Sequence, residues 1–331
     1  MMEMQDQLQL GQPRPESRQA RVDIGIRAAH PRAVEMLRAI HRHRLLSTTQ
    51  LRRLYTPQAT SSAWVQRLLR DLQRRGLAAH VERGSGLRFW YLTERGARAV
   101  DAVFDDRGIL VTPEAAGGPL LDHAWALNEV GIAFVDAARA RGDDCGPLAW
   151  RHHVEHARAG REPLVAPAVL EYLTTSSEQI SLAYRFLELD RATTPVTALV
   201  AKLADYVDLH RERSDGEATS EWQRWYRGTF PEILVAMAGQ SRDQSLRRLE
   251  ILWALSQQDP RTQRTPVPIR VVLLDDLREQ GPFAPIFWRL GEPGRLTDWQ
   301  GAEGEARPRL VWDAAKGAQP AGADDHDRGP V

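Results

Sequence analysis

Cysteine and lysine are scarce in this chain of 331 residues. Cys145 is the one cysteine, which excludes an intramolecular disulfide and a cysteine-rich zinc site. Lys202 and Lys316 are the only lysines among 44 basic residues, a bias that we attribute mainly to GC-rich codons. Arginine binds phosphate through two parallel hydrogen bonds, so almost all basic side chains of this chain can bind a phosphate bidentately.

Long apolar runs are absent as well. No run approaches the ~20 residues that a helix needs to span a bilayer, and residues 1–21 are polar and lack a signal-peptide pattern. We therefore expect a cytoplasmic protein without a membrane partner, which also fits the scarcity of cysteine. A glycine-rich phosphate loop followed by Lys and Ser or Thr is missing too, and this argues against an ATP-driven helicase.

Charge is distributed unevenly, although the formal net charge is zero. Residues 31–100 contain fourteen arginines and four acidic residues, an excess of about ten positive charges, so the remainder is about ten negative. A strongly basic block on an otherwise acidic protein is typical of a nucleic-acid-binding module.

Composition divides the chain into five segments. Residues 1–28 are rich in Gln, Arg and Pro and are predicted to form a disordered arm, and residues 291–331 a Gly-, Pro- and Asp-rich tail. Two regions, 29–105 and 119–290, are predicted to fold, with 106–118 as the linker between them.

The first folded region has the element order of a winged helix-turn-helix domain. A helix opens at Pro31, a short second helix follows, and a third helix ends at Gly76. Two strands, 77–82 and 87–92, complete the pattern as a hairpin wing. This order predicts that the third helix lies in the major groove of duplex DNA.

Seven polar residues of this region are expected to contact DNA. Gln66, Arg67 and Arg70 face outward on the third helix, where they reach bases or phosphates. Arg83 and Arg88 flank the wing tip, where they reach the backbone or minor groove. The full set is Ser62, Gln66, Arg67, Arg70, Arg74, Arg83 and Arg88. A solvated arginine face on a protein-binding domain is the open alternative.

The second folded region alternates helices and strands and is predicted to form a central mixed sheet flanked by helices, an α+β or α/β architecture. The predicted helices are 119–141, 195–212 and 241–255, and the predicted strands are 148–156, 164–173, 183–189, 232–237 and 269–274.

This order resembles the restriction-endonuclease-like nuclease core, in which carboxylates on adjacent strands hold Mg²⁺. Glu188 and Asp190 are two apart on one strand, and Lys202 and Tyr206 are four apart on the next helix. The resemblance implies Glu188 and Asp190 as metal ligands, with Lys202 and Glu129 completing the catalytic set.

One departure from that core bears on activity. The superfamily has Pro-Asp at the start of a strand, whereas this chain has Pro167-Ala168, and alanine cannot ligate a metal. We therefore expect a degenerate scaffold with no cofactor, and Mg²⁺ only if the site is active. If the nuclease geometry survives, Ala168→Asp is expected to strengthen metal binding.

Three stretches together resemble the replication-relaxation family of plasmids and integrated mobile elements. They are residues 91–96 in the wing, residues 123–128 in the first helix of the second region, and residues 186–191 followed by Lys202 and Tyr206. The resemblance implies a protein that binds double-stranded DNA as an accessory in replication, maintenance or transfer of such an element.

Other functions remain open at this point. One is a metal-dependent DNA nuclease or nickase, and another is a winged-helix transcription regulator with a sensor domain. A homodimer, or an assembly with replication or transfer proteins, is equally compatible with the sequence. His152, His153 and His156 cluster on a predicted strand, but we find no third metal ligand beside those that share a face.

Overall fold

The structure is a computed structural model. It describes residues 26, 28–84, 86–104, 108–158, 160–175, 180–212, 220, 222–226, 228–292 and 294–302. Contacts divide the chain between Ala124 and Trp125 into two compact units, and each is described by itself. No described helix is both long and apolar enough to cross a membrane.

The first unit combines helices with a three-stranded sheet whose strand order is β1-β3-β2. Its elements are α1 (Pro31–Arg42), β1 (Leu46–Ser47), α2 (Thr48–Tyr55), α3 (Ala63–Arg74), β2 (Ala78–Arg83), β3 (Leu87–Leu92), α4 (Glu94–Phe104) and α5 (Pro113–Gly117). Helix α6 (Pro119–Arg141) contains the point at which the two units divide.

Helix α3 forms because its apolar residues recur at helical spacing. Val65, Leu68, Leu69 and Leu72 are all buried, so one face of the helix packs inward and the other stays polar. Ser62, the residue before the helix, makes no side-chain hydrogen bond to it. Helix α2 instead begins with a capping box in which the Ser47 and Gln50 side chains each accept from the other's backbone N–H.

The hairpin β2–β3 is close to its prediction. Its register runs from Ala78 opposite Leu92 to Arg83 opposite Leu87. The tip uses Gly84 and Gly86, both at positive φ, which glycine adopts without steric cost. The sequence patterns did not predict β1, because it is only two residues long; it pairs with β3 through Leu46 and Trp90.

The second unit is built on a seven-stranded sheet of order β10-β9-β8-β7-β6-β5-β4. Its strands are β4 (Trp150–Arg158), β5 (Arg161–Thr175), β6 (Ile180–Asp190), β7 (Glu232–Met237), β8 (Ile269–Leu273), β9 (Phe287–Arg289) and β10 (Leu296–Thr297). Its helices, after α6, are α7 (Val196–Arg211), α8 (Trp222–Trp225), α9 (Arg242–Gln258), α10 (Pro260–Gln263) and α11 (Leu274–Gln280).

The sheet is mixed, as predicted. Strands β6, β7 and β8 are parallel neighbours, and the remaining pairs are antiparallel. Phe186, Val235 and Val271 lie in one buried cluster with Leu203 of α7 and Leu252 of α9. Helices α7 and α9 therefore cover the face of the sheet to which Phe186 belongs.

Two segments differ from the predicted domain limits. The expected linker 106–118 contains helix α5, which begins at Thr112 with a side-chain cap. The expected tail from residue 291 contains β10 and the fully buried Trp299. Trp299 packs on Phe134 and Tyr172, and this packing gives a Gly- and Pro-rich segment enough buried apolar surface to fold. The predicted arm up to residue 25 and the tail beyond residue 302 lie outside the described residues.

Candidate functional site

The outer face of α3 presents exposed arginines. Arg67 and Arg70 are exposed, and Gln66 beside them is half-buried. Arg70 Nε donates to the Gln66 carbonyl oxygen at 3.2 Å, which lays its side chain along the helix. Within the part of the chain that the structure describes, no acidic side chain contacts Arg67 or Arg70.

The neighbouring polar residues are placed differently. Arg74 is exposed but forms an ion pair with Asp71 at 3.1 Å. Ser62, before the helix, is half-buried. Trp64 is half-buried as well and contacts His30 edge-to-face, with ring centroids 5.8 Å apart. Of the residues expected on this helix, Arg67 and Arg70 are therefore the best placed to contact a ligand.

The two arginines of the hairpin both have acidic partners. Arg83 forms an ion pair with Asp122 in the first turn of α6. Arg88 Nε donates to Glu82 Oε1 at 2.7 Å. That hydrogen bond and the Arg88 charge hold the pKa of Glu82 below its usual range, so the carboxylate stays ionised.

In the second unit, Glu188 is the centre of a buried polar group. It lies on β6 and is 3% exposed. Lys202 Nζ on α7 lies 2.8 Å from Glu188 Oε1, and the Tyr206 hydroxyl donates to the same oxygen at 2.5 Å. The structure thus brings the Lys202 amine and the Tyr206 phenol into direct contact with the Glu188 carboxylate.

Burial dominates the protonation of this group. It raises the pKa of Glu188, and the charge and hydrogen bonds of Lys202 and Tyr206 offset only part of that increase. Burial and the adjacent carboxylate raise the pKa of Tyr206 well above its ordinary value. Tyr206 therefore remains a proton donor to Glu188 across the physiological range.

Asp190 forms an ion pair with an arginine that the sequence patterns did not predict. Arg248 on α9 binds it bidentately, with Nε 2.6 Å from Oδ2 and Nη2 2.9 Å from Oδ1. The backbone N–H of Ala192 also donates to Oδ1, at 3.0 Å. Asp190 thus belongs to a charge pair that ties β6 to α9, separate from the Lys202 contact of Glu188.

Ala168 and Glu129 lie away from Glu188. Ala168 is directly opposite both His152 and Leu187. Because opposed residues share a face of the sheet and successive residues alternate, Ala168 lies on the face opposite to Glu188. An aspartate introduced at position 168 would therefore not join Glu188, contrary to the expectation for Ala168→Asp.

Glu129 belongs to the face that carries Ala168. Its neighbour Asn128 accepts a hydrogen bond from Trp150 Nε1 at 3.1 Å and lies 2.8 Å from His152 Nε2. Glu129 itself binds Arg278 Nε at 3.0 Å. The predicted four-residue catalytic set of Glu129, Glu188, Asp190 and Lys202 is therefore not gathered in one place.

This arrangement does not fit a Mg²⁺ ion. Both carboxylate oxygens of Asp190 are bound by Arg248, whereas Mg²⁺ needs carboxylate oxygens free to coordinate it. Among the described residues, no group of three or more His, Cys, Asp or Glu side chains is placed to hold a metal.

The three clustered histidines have separate partners. His156 is buried, with Nε2 2.6 Å from the Tyr226 hydroxyl, and burial lowers its pKa. His152 is bound to Asn128, and His153 is exposed beside Glu155. They do not form a common site.

Sequence reasoning missed the arginine and carboxylate partners because they are far apart in the chain. Arg248 is 58 residues from Asp190, and Arg83 is 39 residues from Asp122. Local spacing carries no signal for such pairs, since only the folded chain brings them together.

Comparisons with known proteins gave one match. A search of curated proteins and a search of solved structures found nothing similar. The family model described as replication-relaxation matches residues 37–221. This family suggests a role in the replication of plasmids or mobile elements. Since the match spans more than half of the 331 residues, the chain belongs to the replication-relaxation family.

Proposed function

We propose that this protein binds double-stranded DNA as a cytoplasmic accessory in replication, maintenance or transfer of a plasmid or integrated mobile element. The first unit acts as a winged helix, with α3 as the recognition helix and β2–β3 as the wing. The main support for this proposal is the amphipathic character of α3. Its inner face is fully apolar, and its outer face offers Arg67 and Arg70 without acidic partners among the described residues.

The electrostatics of the unit support this role. The excess of about ten positive charges in residues 31–100 attracts a polyanion such as DNA to this segment. A helix of the size of α3 fits the major groove, where an arginine side chain recognises guanine bidentately and otherwise contacts phosphate. Phosphate contacts set the affinity and its salt dependence, and base contacts set the sequence preference.

Replacing both Arg67 and Arg70 with alanine is expected to weaken duplex binding by about 2 kcal/mol, roughly thirtyfold. The slope of log affinity against log salt should also fall, by ~0.9 for each phosphate that the variant no longer neutralises. Fluorescence anisotropy of a labelled duplex at several salt concentrations measures both quantities.

The matched control is the double variant Arg32→Ala with Arg98→Ala. These arginines are also exposed, but each pairs with a carboxylate on its own helix. If the control bound as weakly as the Arg67 and Arg70 variant, non-specific charge and not the α3 surface would account for binding.

For the second unit we propose a restriction-endonuclease-like scaffold that does not hydrolyse DNA. The support is that both carboxylates expected to bind metal already have partners in the protein. Glu188 contacts Lys202 and Tyr206, and Asp190 contacts Arg248. Such a unit serves to dock replication or transfer proteins or a second copy of the chain.

Supercoiled plasmid incubated with the purified protein and Mg²⁺ or Mn²⁺ is therefore expected to stay intact on an agarose gel. Nicking or cutting would overturn the non-catalytic role if Lys202→Gln abolished it while the melting temperature stayed within a few degrees. Lys202 suits this test because its side chain is 32% exposed, and so its replacement removes no deeply buried cation.

A further inference from the structure

We propose that Asp122 competes with DNA phosphate for Arg83, so that the wing is self-neutralised until a duplex displaces this carboxylate. The inference rests on the proposed function and adds a carboxylate that limits the affinity for DNA. It assigns Arg83 as a phosphate contact and Asp122 as the residue that restricts that contact.

The position of the Asp122–Arg83 pair supports this assignment. Arg83 is the last residue of β2, immediately before the glycine tip of the hairpin. Its side chain is 55% exposed and that of Asp122 is 35% exposed. Because both partners are open to solvent, a phosphate oxygen can reach Arg83 and take the place of Asp122.

The contrast between α3 and the wing points in the same direction. Arg67 and Arg70 have no acidic contact among the described residues, whereas Arg83 and Arg88 each contact a carboxylate. A DNA-binding surface of this kind has an open part on the helix and a compensated part on the hairpin. The compensated part adds to affinity only when phosphate replaces the carboxylate.

Carboxylate and phosphate are equivalent acceptors for a guanidinium, since both accept two parallel N–H bonds. An exposed ion pair is weak, so a phosphate presented by a bound duplex can displace Asp122.

The test measures duplex affinity of the full chain with Asp122→Asn. Affinity is expected to rise about two- to fivefold at low salt, because phosphate no longer has to displace Asp122. The slope of log affinity against log salt should steepen by at most ~0.9, the value for one phosphate. Asp122→Ser, which removes the same charge, should give the same increase.

Two further variants separate the ion pair from a general charge effect. Glu114→Gln removes an exposed carboxylate on α5, which packs against β2, and Glu114 lies eight positions before Asp122. Its expected increase in affinity is less than half that of Asp122→Asn. In a chain that already carries Arg83→Ala, Asp122→Asn should change neither affinity nor slope.

An increase from Asp122→Asn that equals the increase from Glu114→Gln, or that persists without Arg83, would overturn the competition. If Arg67→Ala with Arg70→Ala still weakened binding, the proposed DNA-binding function would stand without it. An unaltered chain that bound no duplex at any salt concentration would overturn both.

Discussion

Glu232→Gln is expected to destabilise the second unit by about 3–5 kcal/mol, because it removes the anion that two buried arginines share. Glu232 Oε2 lies 3.1 Å from Arg185 Nη2 and also contacts Arg270 Nη1. The two arginine side chains are only 9% and 7% exposed.

The physical reason is the cost of burying charge. Burial already lowers the pKa of Arg185 to about 10, against the opposing effect of Glu232 and with a further decrease from Arg270. Glutamine keeps the size and one acceptor oxygen but removes the negative charge. Two guanidiniums then repel each other with little solvent to screen them.

Urea denaturation followed by circular dichroism measures the effect, and a matched change is available in the same unit. Glu292 also binds two arginines, Arg289 and Arg295, but all three side chains are exposed. Glu292→Gln is expected to change stability by less than about 0.5 kcal/mol. Equal destabilisation by the two glutamine variants would show that the Arg185–Glu232–Arg270 group is not stabilised by its central charge.

Gly96→Ala is expected to destabilise the first unit by about 3 kcal/mol or more, the upper end for overpacking. A Cβ at position 96 would lie 1.8 Å from the carbonyl oxygen of Leu77. That oxygen cannot move aside easily, because it accepts hydrogen bonds from the backbone N–H and the hydroxyl of Thr93.

This loss of stability is opposite in sign to the usual effect of replacing glycine with alanine in a helix. Alanine is preferred over glycine inside a helix by about 1 kcal/mol, and Gly96 lies within α4. Gly117→Ala in α5 is the control, since a Cβ there meets nothing within 4 Å, and it should leave stability unchanged or slightly higher. Thermal unfolding of the two variants, with duplex binding as a second readout, distinguishes them. Unchanged stability in Gly96→Ala would contradict the close approach of α4 to Leu77.

Much of the fold followed from local patterns. The predicted helix 119–141 coincides with α6, and the predicted strand 87–92 with β3. The apolar positions of α3 are buried as expected. These elements were predictable because helix and strand periodicity, proline at a helix start and glycine at a turn act over a few residues.

The candidate site was only partly predictable. Two-residue spacing on β6 and four-residue spacing on α7 drew attention to Glu188, Lys202 and Tyr206, and both Lys202 and Tyr206 contact Glu188. The spacing could not show that Arg248 occupies Asp190 or that Ala168 faces away from Glu188. Those facts depend on strand register and on helix packing between distant parts of the chain.

The sequence by itself determined the basic character of the first unit, the alternation of helices and strands in the second, and the family. Each of these follows from the composition or from the spacing of residues that are close in the chain. Only the tertiary structure decided which arginines keep their charge available and which are neutralised by carboxylates. Coulomb interactions depend on distance in space, and Asp122, Arg248 and Glu232 reach their partners only when the chain is folded.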